Sequence, residues 1–240
     1  MRKIHISYAN ERYAKSLQSL TYSSSSAGKT DEYIPYTREW LETTEFYRKN
    51  KYILDKPRGN GYWLWKSFII LTTLEQCSDA DVVLYTDAGV TILDDLSPLY
   101  KLAEENGKVL FQNFKHINKL WTKRDCFVLM NCDEPKYWDG TQVQATFSLW
   151  EKNPETIEFL KEYQRYLRDP RIITDDPNLC GKSNFLEFKD HRHDQSVLSL
   201  MTIKYNIELF RDPSQWGNTL KDQFTNSPYE QLFDHHRTNK

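Results

Sequence analysis

Asp79-Ala-Asp-Val-Val-Leu-Tyr-Thr-Asp-Ala-Gly-Val-Thr-Ile-Leu-Asp-Asp95 decides the fold. Within it, Val82, Val83, Leu84 and Tyr85 form a short apolar run, β-branched and aromatic, with polar residues on either side. Such a run predicts a strand covered on both faces, as in the middle of a parallel sheet. It ends in Thr86-Asp87-Ala88-Gly89, which puts a carboxylate at the carboxyl end of the strand, followed by two residues with almost no side chain. Open α/β sheets bind ligands at that edge. Small residues let a ligand approach the backbone, and Asp87 has the oxygen chemistry to hold a cation against phosphates. A polar turn closing a buried strand is the competing explanation.

Outward from this strand, helical and extended patterns alternate. Ile4, Ile6 and Tyr8 predict a strand over residues 3–8, and Tyr13, Leu17 and Leu20 a helix after it. Residues 23–29, rich in serine, read as a surface loop, 33–36 as a second strand and 38–48 as a helix. Two glycines beside three aromatics in 57–66 predict a shaped loop rather than a helix interior, leading into a helix over 67–77. Ser97-Pro98 opens a further helix that Gly107 closes, and Val109 to Phe111 is a strand. Residues 113–140 are irregular and polar, placed to cover a cleft. In 142–150, Val143, Ala145, Phe147 and Leu149 alternate onto one face of a strand, and Asn153-Pro154 starts a helix. After a loop over 169–190, Asp194 begins the last long helix. Alternating strands and helices predict an α/β/α sandwich with a mainly parallel central sheet, in a single domain spanning 1–240.

Composition narrows the function classes. A net charge of −2 with no basic stripe argues against nucleic acid. No apolar run reaches membrane-spanning length, which leaves a cytoplasmic protein, with peripheral membrane association open. Cys77, Cys126, Cys132 and Cys180 lack metal-type spacing, so reduced thiols are expected. Aromatics make up 14% of the chain, which suits a cleft that stacks bases or sugar rings as well as a core.

Two polar clusters complete the candidate site. Arg58 and Lys66 flank the glycine loop with phosphate-binding chemistry, or are surface charges. In His191-Arg192-His193-Asp194-Gln195, Asp194 is either a helix cap or a carboxylate acting as a base. The terminal His235-His236-Arg237 either folds over a ligand or frays; composition favours a frayed tail.

Arg58-Gly-Asn-Gly-Tyr-Trp-Leu-Trp-Lys66, Asp81-Val-Val-Leu-Tyr-Thr-Asp-Ala-Gly89 and His193-Asp-Gln-Ser-Val-Leu198 stand in an order that resembles a group of glycosyltransferases. These are bacterial capsule and surface-polysaccharide enzymes and related large-virus proteins with the GT-A, Rossmann-like fold. The resemblance implies a hexosyl- or deoxyhexosyltransferase that uses a nucleotide sugar, a UDP-sugar first, with Mn²⁺ or Mg²⁺ and a glycan or saccharide acceptor. Residues 1–113 would then form the nucleotide-sugar half and 114–240 the acceptor half. Asp194 would be catalytic. Ser7, Tyr8, Arg58, Gly61, Tyr62, Lys66, Asp87, Ala88, Gly89, His193 and Gln195 would bind donor, and Asp87 with His235 or His236 would bind metal. Gly89 departs from the family's Asp-x-Asp, replacing its second aspartate. A carbohydrate-binding module without turnover and a sugar nucleotidyltransferase are the alternatives; no Gly-rich, Arg/Lys-containing signature follows the first strand to favour the second.

Overall fold

The computed structural model describes residues 1–238. Its strands are β1 (Lys3–Ala9), β2 (Glu32–Thr37), β3 (Val82–Thr86), β4 (Thr91–Ile92), β5 (Lys108–Ile117), β6 (Thr141–Val143), β7 (Phe147–Glu151), β8 (Leu209–Phe210) and β9 (Phe233–Asp234). Seven of them form one sheet in the order β2-β1-β3-β7-β5-β6, with β8 beside β5, while β4 and β9 pair separately. β2, β1, β3, β5 and β8 share one direction and β7 and β6 oppose it. This is the α/β/α sandwich with a mainly parallel sheet that the pattern predicts.

The central strand explains why the sheet needs both layers. All five residues of β3 are buried, and they alternate between two cores. Val83 and Tyr85 join Ile4, Ile6, Leu110 and Trp150 under helices Leu64–Glu75, Pro154–Leu167 and Asp194–Lys204. Val82 and Leu84 join Val109, Phe147 and Leu149 under helices Ala14–Ser26 and Ser97–Asn106. Strand side chains alternate with a period of two, so a strand apolar at every position must be covered twice. No described helix is long and apolar enough to cross a membrane.

Several boundaries differ from the sequence reading, each for a local reason. Residues 23–26 are helical rather than loop. Ser23 and Ser24 are buried because their hydroxyls bond inward, Ser23 Oγ accepting from the Ile92 amide (3.2 Å) and Ser24 Oγ lying 2.9 Å from His5 Nδ1. Thr44 splits 38–48 into two helices, its hydroxyl capping the second by accepting from the Tyr47 amide. The predicted 109–111 strand runs on to Ile117. The helix opened at Ser97 has Leu96 at its cap position, without a side-chain cap, and the Asp95 carboxylate just before it accepts from the Ser97 amide at 2.9 Å.

The largest difference lies in 142–150. Val143 pairs with Gln112 and Leu149 with Val109, so a step of three along β5 answers a step of six on the other strand. Residues 144–146 bulge out of the sheet, and Val143 turns to one core while Phe147 and Leu149 turn to the other. A bulge reverses which face later side chains take and re-aims local groups, so these residues do not share one face.

Candidate functional site

β1 and β3 are parallel neighbours, and both end at the same edge of the sheet. A cleft of about 470 Å³ opens there. Its walls come from Tyr8 to Asn10 at the end of β1, the turn after Arg58, Asp87 to Gly89 after β3, the 144–146 bulge, residues 192–195, and His235 and Arg237 of the tail.

The glycine loop is a left-handed turn. Gly59, Asn60, Gly61, Tyr62 and Trp63 all have positive φ. Left-handed backbone places Cβ against the following carbonyl and disfavours L-residues by roughly 1–2 kcal/mol each. Gly61 has no substitute, since a β-carbon there would lie 2.5 Å from Leu54 Cα. Trp65 Nε1 bonds the Gly59 carbonyl at 3.0 Å, and Asn10 Nδ2 donates to Asn60 Oδ1 at 3.1 Å. The turn lets helix Leu64–Glu75 begin at the sheet edge, with Trp65 stacked on Tyr8 at 3.9 Å between ring centroids and Lys66 aimed at the floor.

Lys66 is the hub. Its buried ammonium lies 2.7 Å from Asp194 Oδ2 and 3.6 Å from Asp87 Oδ1, and donates to the Ala145 carbonyl at 3.0 Å. The bulge supplies that carbonyl. Burial opposes the ammonium, but the carboxylates of Asp194 and Asp87 outweigh it and hold Lys66 above its ordinary pKa. Burial pushes Asp194 up to about 6, against the pull of Lys66 and the Gln195 amide. Asp194 is thus ionised at neutral pH yet close enough to neutrality to exchange a proton, the condition that suits a general base. Asp194 is not the helix cap. It is the first residue of helix Asp194–Lys204; the cap position is His193, at φ 51° and ψ −115°.

That strained His193 is held from several sides. Its Nδ1 lies 2.7 Å from the Ile173 carbonyl, which can only accept, so Nδ1 carries the proton. Tyr62 and Trp63 pack on its ring at 4.7 and 5.6 Å. Burial lowers its pKa to about 4. Non-glycine residues in sparse backbone regions persist only where surroundings over-determine them, and they cluster at functional sites.

Of the residues singled out in the sequence, Tyr8, Arg58, Lys66, Asp87, Ala88, Gly89, His193, Asp194, Gln195 and His235 line the cleft. Ser7, Gly61 and Tyr62 do not line it; they are buried and shape its wall. Arg58 is already paired, with Asp190 at 2.5 Å and Asp175 at 3.1 Å. His236 faces away, its Nδ1 3.1 Å from Thr238 Oγ1.

The tail is docked rather than frayed. Phe233 pairs with Ile92, Gln215 Oε1 accepts from the His235 amide, and the Arg237 amide donates to the Gly89 carbonyl at 3.0 Å. A β-carbon on Gly89 would stand 3.0 Å from Arg237 Cα. The small residue therefore admits the tail.

The expected metal set does not fit this geometry. Asp87 Oδ1 already accepts the Tyr85 hydroxyl at 2.5 Å and lies beside the Lys66 ammonium. Arg237 Nε donates to His235 Nε2 at 3.1 Å. Among the described residues, no group of three His, Cys, Asp or Glu is placed to hold an ion. The site residues expected from the sequence did not include the cleft's arginines Arg12, Arg192 and Arg237, nor Asn10, Asn113, His116 and Gln144. Arg192 and Arg237 stand inside motifs already noticed, whereas nothing in the sequence around Arg12 marks it as a site residue.

No family model matches the chain, and no curated protein does. Among solved structures, it is similar to mouse xyloside xylosyltransferase 1, with 10% identity, a TM-score of 0.49, and coverage of 100% of this chain and 99% of the other. It is also similar to an active-site mutant of LgtC, with 13% identity, TM-score 0.48, and 98% and 87% coverage. A third is the glycosyltransferase GlyE of Streptococcus pneumoniae, with 16% identity, TM-score 0.46, and 99% and 55% coverage. These are loose likenesses, with TM-scores below 0.5.

Proposed function

We propose that the chain is a glycosyltransferase moving a sugar from a nucleotide-diphosphate sugar, a UDP-sugar first, to a hydroxyl of a glycan or saccharide acceptor. Hexosyl or deoxyhexosyl transfer in cytoplasmic polysaccharide or glycoprotein glycan synthesis is the setting that the sequence resemblance suggests. The observation that carries the reading is Asp194: a buried carboxylate 2.7 Å from the Lys66 ammonium, presented at the floor of a cleft whose open rim is cationic.

In this reading the base stacks near Tyr8 and Trp65, the diphosphate lies along the rim, and the sugar reaches the floor. Residues 1–113 supply most of the donor wall and 114–240 the base and the tail. Asp194 accepts the proton of the acceptor hydroxyl. The acceptor oxygen bonds to the anomeric carbon, and the bond from that carbon to the β-phosphate oxygen breaks, its electron pair leaving with the diphosphate. Lys66 holds Asp194 in place and keeps its carboxylate charged between turnovers. Mn²⁺ or Mg²⁺ is implied by the resemblance, but the donor set does not fit either ion and no step here runs through one.

The test is to incubate the chain with a panel of nucleotide sugars and saccharide acceptors and to quantify released nucleoside diphosphate. Release that depends on acceptor and collapses in Asp194→Asn is the expected result. Pyrophosphate release would point to a nucleotidyltransferase. Binding without release, equal in Asp194→Asn, would point to a binding module.

A further inference from the structure

We infer, resting on that reading, that the donor's diphosphate is neutralised by the chain's own guanidinium groups, Arg192 from one wall, Arg237 from the docked tail and Arg12 of the same cleft, so that donor binding needs no divalent cation.

Three features of the acidic side of the cleft disfavour a metal. Asp87 shares its Oδ1 with a tyrosine hydroxyl and a buried ammonium, and a further cation on that oxygen would stand next to a like charge. The backbone of Arg237 fills the space that a carboxylate at position 89 would need. The imidazole of His235 accepts a hydrogen bond from Arg237 instead of facing an ion.

The basic side is built for an anion. Arg12, Arg58, Lys66, Arg192 and Arg237 line the cleft against only Asp87 and Asp194. Lys66 and Arg58 are spoken for by carboxylates. Among the described residues, Arg12, Arg192 and Arg237 have no carboxylate within ion-pair distance. Arg192 is half-buried, with its guanidinium 4.3 Å over the Trp121 ring. Burial lowers its pKa, and Arg58 and Arg237 lower it further, with Asp190 the acid that opposes them. Arg192 and Arg237 also both act on His116, whose pKa burial has already lowered to about 4. Basic groups gathered with so little acid among them repel one another until an anion enters. Planar guanidiniums match phosphate bidentately and remain charged. The position of Arg237 is fixed by β9, by the Gln215 clamp on His235 and by its own amide on Gly89, so little ordering remains for the ligand to drive.

Isothermal titration of the full chain with UDP, GDP and inorganic diphosphate tests this, first in EDTA and then in Mn²⁺. We expect binding in EDTA, changed by no more than about threefold on adding Mn²⁺. Arg192→Ala and Arg237→Ala should each weaken it by roughly ten- to hundredfold, as loss of a charge-assisted bond does. Arg192→Lys and Arg237→Lys should recover part of the loss, because they keep the charge without the fork. Arg165→Ala, away from the cleft, should match the parent. Binding that requires Mn²⁺, or that neither alanine substitution weakens, overturns the inference while leaving the transferase reading intact. Absence of binding by all three ligands in both conditions overturns the two together.

Discussion

Charge is arranged in opposite ways on the floor and the rim of the cleft. On the floor, Lys66, Asp87 and Asp194 are packed into each other and into the 144–146 bulge, with the lysine and Asp194 almost fully buried. On the rim, Arg12, Arg192 and Arg237 stand without acidic partners, Arg237 exposed and Arg192 half-buried. A buried ion pair contributes little net stability, because desolvation offsets most of the attraction. The floor is therefore better explained by what it holds in place, a carboxylate of set orientation and raised pKa. The rim's charges are left for something outside the chain. Floor substitutions should then act on turnover and folding, and rim substitutions on binding.

Asp194→Asn is the sharpest break of that contrast. Asparagine preserves shape and leaves Lys66 with Asp87 and the Ala145 carbonyl. Turnover should drop by about 10²–10⁴, the usual range for losing a general base, while donor affinity stays within a few-fold of the parent. Single-turnover rates and titration with UDP measured side by side check it. An equal fall in both would dissolve the distinction between floor and rim.

Removing the cation from the floor should be felt first in stability. Lys66→Met leaves Asp194 buried with no counter-charge, and breaking such a pair is destabilising by roughly 3–5 kcal/mol. Urea denaturation at neutral pH reads it. The double variant Lys66→Met/Asp194→Asn should recover much of the loss, because the only carboxylate then left without its cation is Asp87, which is partly exposed to water. If the double variant is as unstable as the single, packing of the lysine stem rather than its charge is what matters.

How far this site could be read from the chain depended on whether its parts were local. The turn at 59–63 announces itself by glycines among aromatics, and the end of β3 by an apolar run stopping at Asp87. Each wall is one short stretch, so its chemistry is visible in order. The bulge is not visible, because Val143, Ala145, Phe147 and Leu149 keep a strand's alternation straight through the point where the register slips. Only the mismatch with β5, more than thirty residues upstream in the chain, shows that two strands are present. The tail is hidden for a similar reason. Polar residues near a terminus normally fray, and only Gly89 and β4 show where these dock. The helical serines at 23–26 mislead likewise, since their buried partners His5 and Ile92 come from distant elements.

Acid should affect the cleft in two directions at once. Burial lowers His193, His235 and His116 to about 4 and His191 well below its ordinary value. A group depressed in the folded state stabilises the fold above its unfolded pKa of about 6.5, and that contribution is lost as pH falls toward the folded value. Asp194 has the opposite sign: raised to about 6, it relieves burial when protonated, so its contribution grows as pH falls through 6. With these four histidines and the likewise depressed, buried His5 set against the raised carboxylates Asp194 and Asp212, the melting temperature should fall steadily between about pH 6.5 and 4. The transfer rate should follow its own single titration centred near pH 6, as the base is protonated. A rate that follows the melting curve throughout would remove Asp194 from the role of base.

The smallest expected effect tests how the rim is built. Gly89 lies under the tail, and a β-carbon there would meet Arg237 Cα at 3.0 Å and its nitrogen at 3.4 Å. Contacts that tight force the neighbouring backbone to give by a few tenths of an ångström. The tail is held elsewhere by β9 and Gln215, so Gly89→Ala should change stability by less than about 1 kcal/mol, in the range of a surface adjustment. Its consequence should instead appear at Arg237, whose displacement weakens UDP binding by a few-fold, with Asp194 and turnover at saturating donor untouched. Gly89→Asp restores the Asp-x-Asp spacing and sharpens the test further. The longer side chain should unseat more of the tail and lower affinity more than alanine does, with no response to Mn²⁺, because Asp87 stays tied through Oδ1 to Tyr85 and beside the Lys66 ammonium, a like charge for any ion held there. Mn²⁺-stimulated UDP binding in Gly89→Asp would show instead that one missing carboxylate was all that kept an ion from the floor.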